Sequence, residues 1–256
     1  MSGIAAEAAR TAVRRASSVR LHGPGGVRFV VLDHADRTDG TLDLVTLDRA
    51  RTPVDGQLEG EAIPVTAVIT DVSPVPAADR VRAVVQVAGR IEAAEDDAAA
   101  RSLEAWARHR LSDDVPVEAL LRDVRLVRLA PLAVWFAGSC GCFAPVGSRG
   151  EAVDVRHYRT ARPDPLALVE SEWLGHLVAS HGPEMEALGR FATHGDSPVR
   201  AHTVDRRGLV FRRRDAQPVT PGGCRDLRLD FDRRVDCLCD ATDAWGRLTQ
   251  RLLAGG

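Results

Sequence analysis

Lysine is missing from this sequence: all 34 basic residues are arginine. Alanine and glycine are abundant alongside, so the bias reads as coding composition, and arginine richness gives no argument for nucleic acid. The net charge of −2 adds no general pull toward polyanions. Aromatic residues make up only 4%, which leaves Val, Leu and Ala to fill the core. No apolar run reaches the roughly 18 residues that a membrane helix needs. Met1 to Ala16 carries Glu7 and several arginines and no apolar h-region, unlike a signal peptide. The expectation is a cytoplasmic, soluble protein with no nucleic-acid and no membrane partner. Five cysteines are an odd number, which suits a reducing compartment rather than a disulfide framework. No P-loop, G-x-G-x-x-G or Ser-His-Asp order stands in a strand-to-helix context, so the catalytic residues are unknown.

What is present is a 256-residue chain, 45% hydrophobic and 27% charged, with material for two domains. Ala5 to Ala16 reads as a short helix. Val19 to Leu21, Val27 to Leu32 and Leu42 to Leu47 are β-type runs, with Gly23 to Gly26 and Asp36 to Gly40 as turns between them. Arg49 to Gly60 is loop-like. Ile63 to Val72 is the strongest strand, and Val81 to Ile91 is another, with Gly89 as a bulge or a close approach. Glu92 to Leu111 reads as a helix, acidic at its start and basic at its end. Val124 to Leu129 and Ala133 to Phe136 read as two strands separated by Pro131. Five to seven strands with a late helix imply a small antiparallel barrel. Gly138 to Arg162, rich in Gly, Ser and Pro, reads as a connection.

Pro163-Asp164-Pro165 marks a boundary between a domain over 1–162 and a module over 163–256. In the module Leu166, Val169, Trp173, Leu174 and Leu177 recur at helical spacing. Gly182-Pro183 interrupts, and Pro183 opens a second helix. Val199 to Val204, Leu209 to Arg213 and Arg225 to Phe231 are strands, and Val235 to Leu253 closes as a helix. The order is α-α-β-β-β-α, an α+β unit.

His176-Leu177-Val178-Ala179-Ser180-His181, then Val204 to Gly208, then Leu227-Arg228-Leu229-Asp230-Phe231 resemble a family pattern. That pattern is a helix with H-L-N-x-D-H, an acidic turn ending in Gly, and an Arg-containing strand ending in Phe. It belongs to the small domain that follows a flavin-type split barrel in HugZ-type haem-utilisation proteins. The same module occurs in plant glutamyl-tRNA-reductase-binding proteins and, alone, in small haem-binding bacterial regulators. Val178 and Ser180 stand where the pattern has Asn and Asp. Arg128 to Phe143 resembles the last barrel strands and glycine turn of the family, whereas the N-terminal half has no Ser/Thr-His-Thr phosphate-binding segment. The resemblance implies an α+β protein with an FMN-binding-type (pyridoxamine-phosphate-oxidase-like) split β-barrel followed by the module, acting in haem and iron homeostasis or haem degradation as a homodimer.

For His176 the resemblance implies a haem ligand, since neutral imidazole is a normal axial ligand to haem iron. On one continuous helix His176 and His181 stand about 140° apart, which does not favour shared ligation of one ion. His181 either joins the cofactor site or simply ends the helix. Arg225 and Arg228 are the candidate propionate partners. Two C-x-C pairs, Cys140/Cys142 and Cys237/Cys239, with Cys224, suggest a zinc site, but the spacing favours small buried residues instead. His157-Tyr158 either stacks on a flat cofactor or anchors a loop. The arginines at 206–207, 212–214 and 233–234 either hold anions or line a solvated strand face, the second being favoured. Two rival readings are an FMN-dependent oxidoreductase using the barrel, and a cofactor-free interaction or regulatory protein on the same fold.

Overall fold

The computed structural model describes residues 2–47, 62–76, 80–94, 97–110, 124–138, 150–193, 199–213 and 226–253. They divide into two compact units, one within Met1–Thr70, Val85–Phe136 and Glu151–Arg162, the other within Asp71–Val84, Ala137–Gly150 and Pro163–Gly256.

In chain order the barrel part contains α1 (Ser2–Arg15), β1 (Ser18–His22), a 3-10 turn (Pro24–Gly26), β2 (Arg28–Phe29), β3 (Val31–Asp36), β4 (Leu42–Leu47), β5 (Ile63–Val72), β6 (Val81–Ala93), α2 (Asp97–Arg110), β7 (Val124–Gly138), β8 (Glu151–Val153) and α3 (Val155–Thr160). The sheet order is β2-β1-β5-β6-β7-β4-β3, with β8 paired to β7. The β1–β2, β1–β5, β3–β4, β4–β7 and β7–β8 pairs are antiparallel. β1, near one end of this path, lies against β3 at the other, so the sheet curls into a nearly closed barrel. Strict alternation builds it: in β5 Ile63, Val65, Ala67 and Ile69 point inward and are buried, while every second residue between them is not. Gly89 is a close approach, because a Cβ there would overlap the Ala130 carbonyl oxygen of β7.

Three sequence expectations are corrected here. The two strands on either side of Pro131 are one, β7. Pairing with β4 ends at Leu129 and pairing with β8 begins at Val134, so the missing proline N–H falls in the gap between the two partners. The run Val27 to Leu32 is two strands, and β3 continues through polar residues to Asp36. Those polar groups are partnered: Trp106 Nε1 donates to Asp33 (2.9 Å), His34 Nε2 meets Val13 O (2.8 Å) and Arg10 Nη2 donates to Asp36 (2.9 Å). The helix begun at Glu92 in the sequence starts at Asp97 instead, because β6 extends to Ala93 and Ala94 N–H still donates to Leu126 O at 3.0 Å.

Arg10 is the pivot of this unit. It is only 1% exposed. Its guanidinium also donates to the carbonyls of Arg37 (2.6 Å), Tyr158 (3.3 Å) and Arg159 (3.4 Å), tying α1, the β3–β4 turn and α3 together. Burial raises the Asp36 carboxyl above its ordinary range, an effect that Arg10 only partly offsets.

The second unit contains α4 (Glu170–Ser180), α5 (Gly182–Thr193), β9 (Val199–Asp205), β10 (Gly208–Arg213), β11 (Asp226–Asp230) and α6 (Leu238–Leu253), the expected α-α-β-β-β-α order. Its sheet, β11-β10-β9, is antiparallel. The apolar faces of α4 and α6 meet over it, with Trp173, Leu174, Leu177, Phe211, Trp245 and Leu248 in one buried cluster. Burying each such side chain contributes about 1.5–3 kcal/mol. At the β9–β10 turn, a Cβ on Gly208 would overlap the Leu229 carbonyl oxygen, which explains the glycine after Asp205-Arg206-Arg207.

Candidate functional site

Helix α4 carries His176, with His181 just past its end, and its first residue is anchored in the interior. Glu170 is fully buried. Its Oε1 accepts from Arg82 Nη1 (2.6 Å), Thr203 Oγ1 (2.9 Å) and Val204 N–H (3.2 Å). Arg82 also donates through Nε and Nη2 to Asp71 Oδ1, at 3.0 and 2.6 Å. Burial works against the Arg82 charge, but Glu170 and Asp71 more than offset it and hold its proton above the ordinary arginine range. Trp173, Leu174 and Leu177 then occupy the buried face.

His176 flanks that face and is exposed. Its Nδ1 sits 3.3 Å from Ser180 Oγ, one turn further on. Ser180 therefore supplies a neutral polar partner where the family pattern has Asp. With the hydroxyl accepting from Nδ1–H, the Nε2 lone pair is left for a ligand. The two imidazoles do not diverge as a continuous helix requires. Helix α4 ends at Ser180, and His181, at φ −125° and ψ 36°, leaves the helical path. The ring centroids are 5.4 Å apart, with the planes at 78°. His181 N–H still donates to Leu177 O (3.0 Å) and its carbonyl accepts from Met185 N–H (2.9 Å), so this residue both closes α4 and opens α5. Its ring lies edge-on to Trp245, centroids 6.0 Å apart.

The other candidates are not drawn into this cluster. Arg228 donates twice to Asp205, at 2.8 and 2.6 Å, and these bonds raise its pKa against the opposing effect of burial. Arg225, Cys140, Cys142 and Cys224 lie outside the described residues. Cys237 and Cys239 are exposed free thiols, not small buried residues, and Cys237 Sγ accepts from Asp240 N–H at 3.3 Å as a cap on α6. Among the described residues no group of three or more His, Cys, Asp or Glu side chains is placed to hold a metal ion. His157 is exposed, whereas Tyr158 is fully buried with Arg10 over its ring at 5.4 Å, so the pair anchors a loop. A surface cleft of about 490 Å³ runs along α6 past Asp232, Gln250 and Arg251, and its Arg247 is tied to Asp232.

The buried polar groups of this unit went unread in the sequence. Arg212, expected on a solvated strand face, is 1% exposed and pairs bidentately with Asp226 at 2.6 and 2.8 Å. His202 is 2% exposed. Burial, then the charges of Arg212, Arg82 and Arg200, push its pKa down to about 2, so the ring is held neutral. The available signal was register: Arg212 stands opposite Arg200 on β9 and Asp226 on β11, so an acidic residue faces it across the sheet.

Among known proteins, no family model and no curated protein matches this chain. Solved structures do. The heme binding protein from Mycobacterium smegmatis is 22% identical, with 98% of each chain covered and a TM-score of 0.55. A protein of unknown function from Agrobacterium tumefaciens is 17% identical, over 95% of this chain and 94% of that one, with a TM-score of 0.38. A protein of the pyridoxinephosphate oxidase family from Clostridium acetobutylicum, related to general stress protein 26, is 14% identical, over 54% of this chain and 92% of that one, with a TM-score of 0.33. The chain thus has the expected α+β fold, a nearly closed antiparallel split barrel followed by the α-α-β-β-β-α module, shared over its length with the mycobacterial protein.

Proposed function

We propose that this protein binds haem through His176 and serves haem or iron homeostasis. The observation that carries this reading is an exposed imidazole, on a helix anchored at its buried end, whose Nδ1 is engaged by Ser180. Haem iron takes an imidazole on one nitrogen and gains from a hydrogen bond on the other, and His176 offers an exposed ring with such a bond in place. Bound haem would supply the redox and oxygen chemistry of its iron; the chain's part is to ligate and orient it. Arg228 is less suited to a propionate while its Nη1 and Nη2 edge is held by Asp205. Arg225 stays a proposed propionate partner. His181 borders the site as neighbour of the ligand. A homodimer belongs to the same proposal and is tested by sedimentation.

The test is a haemin titration of the purified protein followed by absorption. A saturable, sharpened Soret band near one haem per chain, lost in His176→Ala, is expected. Broadening that is equal in both proteins would overturn the reading. A flavin spectrum before any addition would favour the FMN-dependent oxidoreductase instead.

A further inference from the structure

We propose that His176 and His181 together chelate a divalent transition-metal ion of the imidazole-preferring class, Cu²⁺, Ni²⁺ or Zn²⁺, with water completing the coordination. Two imidazoles sharing one ion at metal–nitrogen bonds of about 2 Å, in cis or tetrahedral positions, have ring centres about 5 Å apart. The observed separation is 5.4 Å. Two imidazoles on opposite faces of a flat macrocycle would instead stand trans across the metal with ring centres about 6 Å apart, farther than these two are. Each ring has a support that limits its freedom: Ser180 Oγ on Nδ1 of His176, and Trp245 beside His181. Both stand on one short stretch whose other end is fixed by Glu170, so the pair is presented from a held scaffold. Imidazole pairs suit Cu²⁺, Ni²⁺ and Zn²⁺ over the oxygen-seeking Mg²⁺ and Ca²⁺. With no third side-chain ligand gathered there among the described residues, the ion is open to exchange.

The ion takes the same His176 nitrogen that haem iron would take. Occupancy by the ion therefore blocks haem, a consequence that rests on the haem reading, whereas the ion site itself does not.

The test is calorimetric titration of Ni²⁺ into the full chain, free of any histidine tag, in a Cys237→Ser/Cys239→Ser background that removes the exposed thiols. Saturable binding of one Ni²⁺ per chain, weakened at least about tenfold by His176→Ala and by His181→Ala alike, is expected. Unchanged affinity in either single variant, or no saturable binding in the parent, would overturn the proposal. Urea midpoints of both variants matching the parent show that the fold is retained. Haemin titration separates the two readings: His181→Ala should keep haem while losing Ni²⁺. If haem fails to bind but both single variants still lose Ni²⁺, the ion site stands and the haem reading falls.

Discussion

At the start of α4 Glu170 is buried, and one of its carboxylate oxygens accepts three hydrogen bonds. At the other end of the same helix, His176 and Ser180 are exposed and meet mainly each other and His181. The first arrangement tolerates no change without leaving a charge stranded in the interior. The second can be altered at small cost to the fold. Binding chemistry therefore belongs at the open end, while the buried end keeps the imidazoles where they are. The largest expected effect lies at the closed end. Glu170→Ala leaves Arg82 buried with one carboxylate fewer and should cost about 3–5 kcal/mol in urea unfolding. A loss under about 1 kcal/mol would break the contrast between the two ends.

The next effect separates the second unit's interior from its surface by pH. His202 is neutral when folded, with its pKa pushed down to about 2, and ordinary when unfolded. Below the unfolded value, near 6.5, the unfolded chain binds the extra proton, so stability falls as pH falls. The slope is about 1.4 kcal/mol per pH unit from this residue alone, continuing toward the folded pKa. His202→Gln should flatten the midpoint-versus-pH curve between pH 6.5 and 4. Equal slopes in the parent and His202→Gln would show that the ring is not held neutral.

Two smaller effects sharpen the same contrast. Arg228→Ala removes a partly exposed ion pair with Asp205 and should cost less than about 1 kcal/mol, with haemin affinity unchanged. A clear loss of haemin affinity would return Arg228 to the site. His176→Ala should move the urea midpoint least, by less than about 0.5 kcal/mol in stability.

Much of this was legible in the sequence because apolar periodicity carried it. β5 alternates residue by residue, and Trp173, Leu174 and Leu177 mark the buried face of α4 directly. What escaped was polar. Asp33, His34 and Asp36 look like the end of a strand until Trp106, Val13 and Arg10 are seen to partner them. Pro131 looks like a break until its missing donor falls between two pairing partners. At the candidate site, the spacing of His176 and His181 was read on a helix that continues, whereas α4 stops one residue short of His181. Glu170, Arg82 and Asp71 are distant in sequence, so only the folded chain brings their charges together.

The central claim is that the open end of α4 binds and the closed end holds. The most direct measurement is the haemin affinity of His176→Ala against the parent, read by Soret absorption, with both urea midpoints measured on the same preparations. The expected result is a saturable Soret band lost in the variant while the two midpoints coincide. Equal haemin affinity in the two proteins would contradict the account.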